Sequence, residues 1–83
     1  MELKEKFEAS VANSKNLTEK PSNDILLKIY SLFKQATEGD ITGDRPGGFD
    51  FKGAAKFDAW KKIEGKDQNE CMQEYIDLID SLN

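Results

Sequence analysis

Between Glu38 and Asp50 the chain places Gly39, Gly43, Pro46, Gly47 and Gly48, a density of turn residues that regular structure does not tolerate. Apolar residues recur at helical spacing on both sides of this break. The connection is longer than an antiparallel helix pair needs. It is therefore expected to carry the chain across the molecule to a third helix running parallel to the second. In a chain of 83 residues this leaves room for one domain, 1–83, with a thin core.

Four segments carry helical periodicity and none carries the sustained alternation of a half-buried strand, so an all-α fold is expected. Leu3, Phe7 and Val11 mark one side of a short amphipathic helix near Leu3 to Ser14. Pro21 and Ser22 announce a second helix, about Asn23 to Thr37, with Ser22 as its N-cap. A third helix spans about Lys52 to Ile63 and stops before Gly65. The fourth starts near Asp67, with Glu70 three positions on as in a capping box. It buries Cys71 or Met72, Tyr75, Ile76, Ile79 and Leu82, while its acids face water.

The second helix has more apolar surface than a thin core can cover. Ile25, Ile29, Leu32 and Ala36 form a core stripe, yet Leu26, Leu27, Tyr30 and Phe33 widen the face well beyond it. Such a surplus implies a buried central helix, a partner or a ligand groove. Tyr30, Phe33 and Lys34 stand at i, i+3 and i+4, so two aryl rings and a cation project as neighbours. That pairing suits an adenine ring attached to phosphate, although a core helix with a solvated lysine has the same spacing. Lys56 follows Lys52 by one turn on the third helix. Phe57 and Trp60 face the core or a groove floor, with the core as the expectation.

Charge narrows the partners. Twelve basic against sixteen acidic residues give a net charge of -4, which argues against a general nucleic-acid binder. From Lys15 to Lys62 there are nine bases and seven acids; after Lys62, one base faces six acids. A locally basic middle can attract a compact anion without attracting polyanions at large.

Chemistry on substrates finds few candidates. No histidine is present to activate a nucleophile, and the single cysteine, Cys71, follows the apolar rhythm of the last helix. The carboxylates sit on exposed faces, where they make poor general acids. A calcium loop from Asp40 fails because Arg45 stands where glycine is required and Phe51 where a bidentate glutamate belongs. No catalytic residue, metal or cofactor is expected. One unpaired cysteine, an N-terminus without an apolar leader and the lack of any membrane-length apolar run suggest a cytoplasmic protein without stable membrane insertion, and a monomer is expected.

The strings KPSNDILLKIYSLFKQATEGD, DRPGGFDF and GAAKFDAW, together with Glu74-Tyr75-Ile76, closely resemble the acyl-coenzyme A-binding protein (ACBP) family from about Phe7 to Leu82. The combination of YxxxKQAT with GD, RPG and KxDAW is highly specific. The resemblance implies a four-helix up-down-down-up bundle with a bowl for long-chain acyl-CoA. It also implies non-catalytic transport or buffering of these esters inside the cell. Carried over by position, Tyr30 packs against the adenine, Lys34 and Lys56 bind the ribose 3'-phosphate and its neighbour, and Tyr75 flanks the nucleotide. Lys15 and Lys52 match further positions lining the site, and Leu26 and Leu27 lie near the acyl chain. Phe33 stands where the family often has tyrosine, which removes a hydroxyl and keeps stacking surface. The rival reading is a helical interaction module whose apolar face receives an amphipathic partner helix. Its basic residues would lie scattered instead of around one bowl.

Overall fold

Ser22 has extended backbone and its Oγ accepts a hydrogen bond from the Ile25 N–H at 3.3 Å, which starts α2 (Asn23–Glu38) at the expected place. The structure is a computed structural model describing residues 2–83. Before α2 come α1 (Leu3–Asn13) and a 3-10 turn (Ser14–Asn16); after it come α3 (Phe51–Lys61) and α4 (Gln68–Leu82). No strand occurs among the described residues.

The helix ends follow local chemistry. Asp50 accepts from the Gly53 N–H at 3.0 Å, so α3 begins one residue earlier than its pattern suggested. It also ends sooner, because Ile63 and Glu64 donate to Trp60 and Lys61 at 3.1 and 3.2 Å, the tighter i to i-3 pattern of a closing turn. Asp67 supplies its half of the expected capping box, accepting from the Glu70 N–H at 3.1 Å.

The core lies between α1, α2 and α4. Phe7, Leu32, Ala36, Cys71, Tyr75, Ile76 and Ile79 form its buried cluster, with Phe33, Ile29 and Met72 packed around it. Side chains of this size contribute about 1.5–3 kcal/mol each when fully buried. The expected stripe on α2 is only half realised: Leu32 and Ala36 are buried, whereas Ile25 and Ile29 are half-buried. Cys71 is sealed, and burial raises its thiol above the usual range, as suits a small hydrophobe.

Helix α3 stands apart from this core and packs on α2. Phe51 and Lys52 meet Leu26 and Leu27 across a groove, Lys56 meets Tyr30, and Trp60 meets Lys34. Each step of about four residues along α2 matches a step in the same direction along α3. The two helices are therefore parallel, as the long connection predicted. Gln68 at the start of α4 donates to the Ala36 carbonyl at 3.2 Å, while Tyr75 meets the earlier Phe33, so α4 is antiparallel to α2. The bundle runs up-down-down-up.

One buried side chain joins three separate segments. Gln35, 1% exposed, donates from Nε2 to Asp40 Oδ1 at 2.8 Å and to the Lys66 carbonyl at 3.0 Å. Its Oε1 accepts from the Trp60 indole N–H at 3.0 Å. Gly39, at φ 80°, turns its own carbonyl toward that indole, also at 3.0 Å. Asp40 Oδ1 accepts in addition from the Gly65 N–H at 2.6 Å. Trp60 is thus half-buried at a polar junction, which corrects the expectation that it fills the core. Arg45 fixes the crossover a second time, with Nε and Nη2 on the two Asp58 oxygens at 2.9 and 3.1 Å.

Removing the Gln35 side chain leaves a cavity and takes one hydrogen bond each from Asp40, the Lys66 carbonyl and the Trp60 indole. Gln35→Ala is expected to lower unfolding stability by about 2–4 kcal/mol in urea titrations, a cavity plus lost hydrogen bonds. A loss within about 0.5 kcal/mol, the range of surface substitutions, would contradict this role. Asp40 adds a pH signature. The Gln35 hydrogen bond, followed by that from Gly65, holds its carboxyl below the ordinary carboxylate value of 3.8. Its contribution is therefore present above the unfolded-state value and is lost as pH falls through the lower folded one. Asp40→Asn keeps an acceptor but does not titrate, so its stability gap to the wild type should shrink as pH drops from 5 toward about 2.5. Parallel stability curves would contradict the linkage.

Candidate functional site

A groove of about 470 Å³ runs between α2 and α3. Leu26, Leu27 and Tyr30 form its α2 wall, and Phe51, Lys52, Ala55 and Lys56 its α3 wall; Lys20 and Asn23 close one end. These positions follow from helical phase. Leu26, Leu27 and Tyr30 share one side of α2, whereas Leu32 and Ala36 turn toward the core. On α3, Phe51, Lys52, Ala55 and Lys56 occupy i, i+1, i+4 and i+5, a single face. The surplus apolar surface of α2 is therefore the floor of this groove.

Five of the nine site residues expected from the sequence meet here: Leu26, Leu27, Tyr30, Lys52 and Lys56. The Lys56 ammonium lies 5.2 Å from the Tyr30 ring centroid, a cation–π contact worth about 0.5–1 kcal/mol near solvent. Lys34 stands one turn further along α2, its ammonium 5.4 Å from the Trp60 ring centroid. It pairs with Glu38, whose hydrogen bond raises Lys34 above the usual lysine range. Lys15 lines an adjoining groove of about 380 Å³ beside the 3-10 turn, which shares Lys20 and Leu26 with the first. Six expected residues thus border one α2-centred concavity or its continuation, and Lys34 stands one turn beyond it.

Phe33 and Tyr75 are placed otherwise. Phe33 is rotated about 60° from Tyr30 by helical phase, enough to turn it into the seam with α1 and α4. There its ring centroid lies 6.1 Å from that of Phe7 and 6.4 Å from that of Tyr75. The continuous aryl face expected of Tyr30 with Phe33 is therefore split between two sides of the helix. Tyr75 is 2% exposed and meets Phe7 edge-on, with centroids 5.1 Å apart. No ring face is free to flank a nucleotide, so a ligand can reach only the sliver of Tyr75 that stays exposed.

Lys20 and Phe51 line the groove and were not singled out in the sequence. Phe51 had a signal, since it sits one turn before Ala55 on the face of Lys52 and Lys56. Lys20 lies in the irregular stretch before α2, where periodicity carries no information. Gln35 and Asp40 were quoted only inside a motif. A polar residue one position from Ala36 and three from Leu32, on the core side of the helix, is the mark that would have found Gln35.

The groove joins an apolar strip, Leu26, Leu27 and Ala55, to a cationic end where the half-buried Tyr30 ring stands beside Lys56, with Lys34 one turn on. It can receive a molecule that is apolar at one end and anionic at the other. No group of three or more His, Cys, Asp or Glu residues able to hold a metal occurs among the described residues.

Comparison with known proteins gives the same picture. The profile of the family described as acyl CoA binding protein matches residues 4–79. An acyl-CoA-binding protein of Brassica napus is 50% identical over 82 residues, covering 99% of this chain and 89% of that protein. Acyl-CoA-binding protein homolog 1 of Caenorhabditis elegans is 46% identical, covering 92% and 88%. Among solved structures, acyl-CoA-binding protein 2 of Oryza sativa superposes with a TM-score of 0.92 at 43% identity, covering 98% of this chain and 90% of that one. The ACBP of Moniliophthora perniciosa superposes with a TM-score of 0.85 at 41% identity, covering 94% of this chain and 76% of that one. In sequence and in fold, this chain belongs to the acyl-CoA-binding protein family.

Proposed function

We propose that this protein binds long-chain fatty acyl-CoA esters in the α2/α3 groove and carries or buffers them without transforming them. The observation that carries this reading is the joining, in one groove, of the Leu26, Leu27 and Ala55 strip to the Tyr30–Lys56 pair. The tail lies along the strip. Tyr30 stacks on the adenine, and Lys56 and Lys34 take the ribose 3'-phosphate and its neighbour. Lys52 and Lys15 contact the remaining anionic groups from the rims, and Tyr75 offers only its exposed edge.

Magnitudes divide the labour. Burying a sixteen-carbon chain at about 0.8 kcal/mol per methylene offers on the order of 12 kcal/mol before ordering costs, so the tail dominates affinity. One charge-assisted lysine–phosphate hydrogen bond adds about 1.5–3 kcal/mol. Stacking on Tyr30 adds about 1–3 kcal/mol, so the head fixes orientation and excludes plain fatty acids. Lys34 must exchange Glu38 for phosphate, which trims its net contribution.

Nothing in the groove argues for catalysis. Its lining offers cations, amide and apolar groups, and Cys71 is sealed in the core on the far side of α2. The reading is of a binding protein that acts as a monomer in the cytoplasm with no cofactor of its own and no nucleic-acid partner. Among the described residues, no helix is long and apolar enough to cross a membrane. A partner-helix module finds no favouring observation, since the lysines gather around one concavity.

Isothermal calorimetry tests the assignment. Lys56→Ala and Tyr30→Ala should each weaken palmitoyl-CoA binding about tenfold or more, and Lys34→Ala by less, with urea midpoints near that of the wild type. Free CoA and palmitate should each bind far more weakly than the ester. Undiminished palmitoyl-CoA affinity in both Lys56→Ala and Tyr30→Ala would place the head group elsewhere.

A further inference from the structure

The lysines read as meeting the head group are not alike. Among the described residues, Lys15, Lys52 and Lys56 take part in no ion pair, whereas Lys34 is bound to the Glu38 carboxylate. The Lys34 ammonium also lies 5.4 Å from the Trp60 ring centroid. That ring is held in place by its indole N–H, which donates to Gln35 Oε1 and to the Gly39 carbonyl. Of the two partners of Lys34, the aromatic face is fixed and the acid is free to move. The Glu38 side chain is 54% exposed, against 27% for that of Lys34, so it can swing into water and leave the ammonium where it is.

The helix has little use for this acid. Glu38 is the last residue of α2, where the macrodipole is negative and a carboxylate is disfavoured. A lysine four residues before a glutamate is the weaker order for a pair on a helix surface. An exposed pair of this kind also contributes little to stability. Among the described residues, Glu38 accepts from no side chain but that of Lys34. Its one polar contact is with a cation that a ligand phosphate needs.

We propose that Glu38 is an affinity-determining residue of this site, a built-in competitor that holds the Lys34 ammonium against an incoming phosphate. The proposal rests on the acyl-CoA reading for the identity of that phosphate. A phosphate monoester near pH 7 carries a charge of about -1.5 to -2 and three acceptor oxygens, so it displaces a carboxylate of single charge. The exchange breaks the Lys34–Glu38 pair and leaves an acid one turn from the bound phosphate. Every ligand with this head is weakened by the same factor, while the contribution of the tail is untouched. Retention in the groove then depends on the acyl chain, and the head alone does not hold.

Two ligands test this, palmitoyl-CoA by calorimetry and adenosine 3',5'-bisphosphate by titration of the Trp60 indole N–H resonance. Glu38→Gln should raise the affinity for both about three- to fivefold, with a urea midpoint near that of the wild type. Glu38→Ala, which removes the acceptor altogether, should do the same. In a Lys34→Ala background the gain from Glu38→Gln should shrink to within about twofold, a coupling that a merely structural role would not produce. Unchanged affinities in Glu38→Gln, where the wild type binds both ligands, would overturn the role of Glu38 and leave the carrier reading intact. A gain of equal size in the Lys34→Ala background would overturn it as well, since Glu38 would then act without Lys34. Tighter bisphosphate binding by Glu38→Gln in a protein that ignores palmitoyl-CoA would support the competitor and defeat the carrier reading alone. Failure of both ligands to bind either form would defeat both.

Discussion

The buried amide of Gln35 is the point at which the crossover, α3 and the turn before α4 are tied to the central helix. Its two hydrogens go to Asp40 and the Lys66 carbonyl, and its oxygen takes the Trp60 indole. Three partners from separate segments converge on this one buried amide, so a shift of any of them costs it a hydrogen bond. Gly39 and Asp40 fix where the chain leaves α2, Gly65 and Lys66 fix where it approaches α4, and Trp60 fixes the end of α3. The parallel placement of α3 is thus specified by polar contacts at one end and by the Arg45–Asp58 pair along its side.

That arrangement explains why a groove exists at all. Hydrophobic burial is satisfied by α1, α2 and α4, whose side chains close around Cys71 and Ile79. Helix α3 adds the buried Ala54 but stands outside that cluster. Held mainly at its far end and flank, it leaves Leu26, Leu27 and Tyr30 incompletely covered opposite Lys52 and Lys56. A ligand with an apolar tail and an anionic head completes a burial that the chain alone does not, and binding follows from the same force that drives folding.

Much of this was legible in the residues. Ser22 and Asp67 announced helix starts that the backbone adopts, and the glycine-rich break foretold the parallel third helix. The unusual width of the α2 apolar face left a buried central helix, a partner or a groove open, and the groove is what the structure has. Helical phase was harder to read at single positions. Tyr30 and Phe33 share a quadrant on paper, but a rotation of about 60° separates the α2/α3 groove wall from the side that faces α1 and α4. Tyr75 kept its place in the apolar rhythm, and that same rhythm buries it. Trp60 looked like core because side-chain volume is visible in a sequence, whereas the partner of an indole N–H is not. Gln35 and Lys66 are 31 positions apart, and such long-range pairing leaves no local pattern. Lys20 precedes α2 in irregular chain, where no period assigns a side.

The central claim is that the ligand lies between α2 and α3, against the face that the core leaves uncovered. Amide chemical shifts recorded while palmitoyl-CoA is added test it most directly, because a second groove of about 550 Å³ lies between α1, α2 and α4, lined by Lys4, Val11, Phe33 and Asn69. Binding at the proposed place moves the resonances of Leu26 to Lys34 and Lys52 to Trp60, the indole N–H of Trp60 among them, and leaves Lys4, Val11 and Asn69 still. Shifts gathered at Lys4, Val11 and Asn69, with Leu27, Tyr30 and Lys56 unmoved, would contradict it.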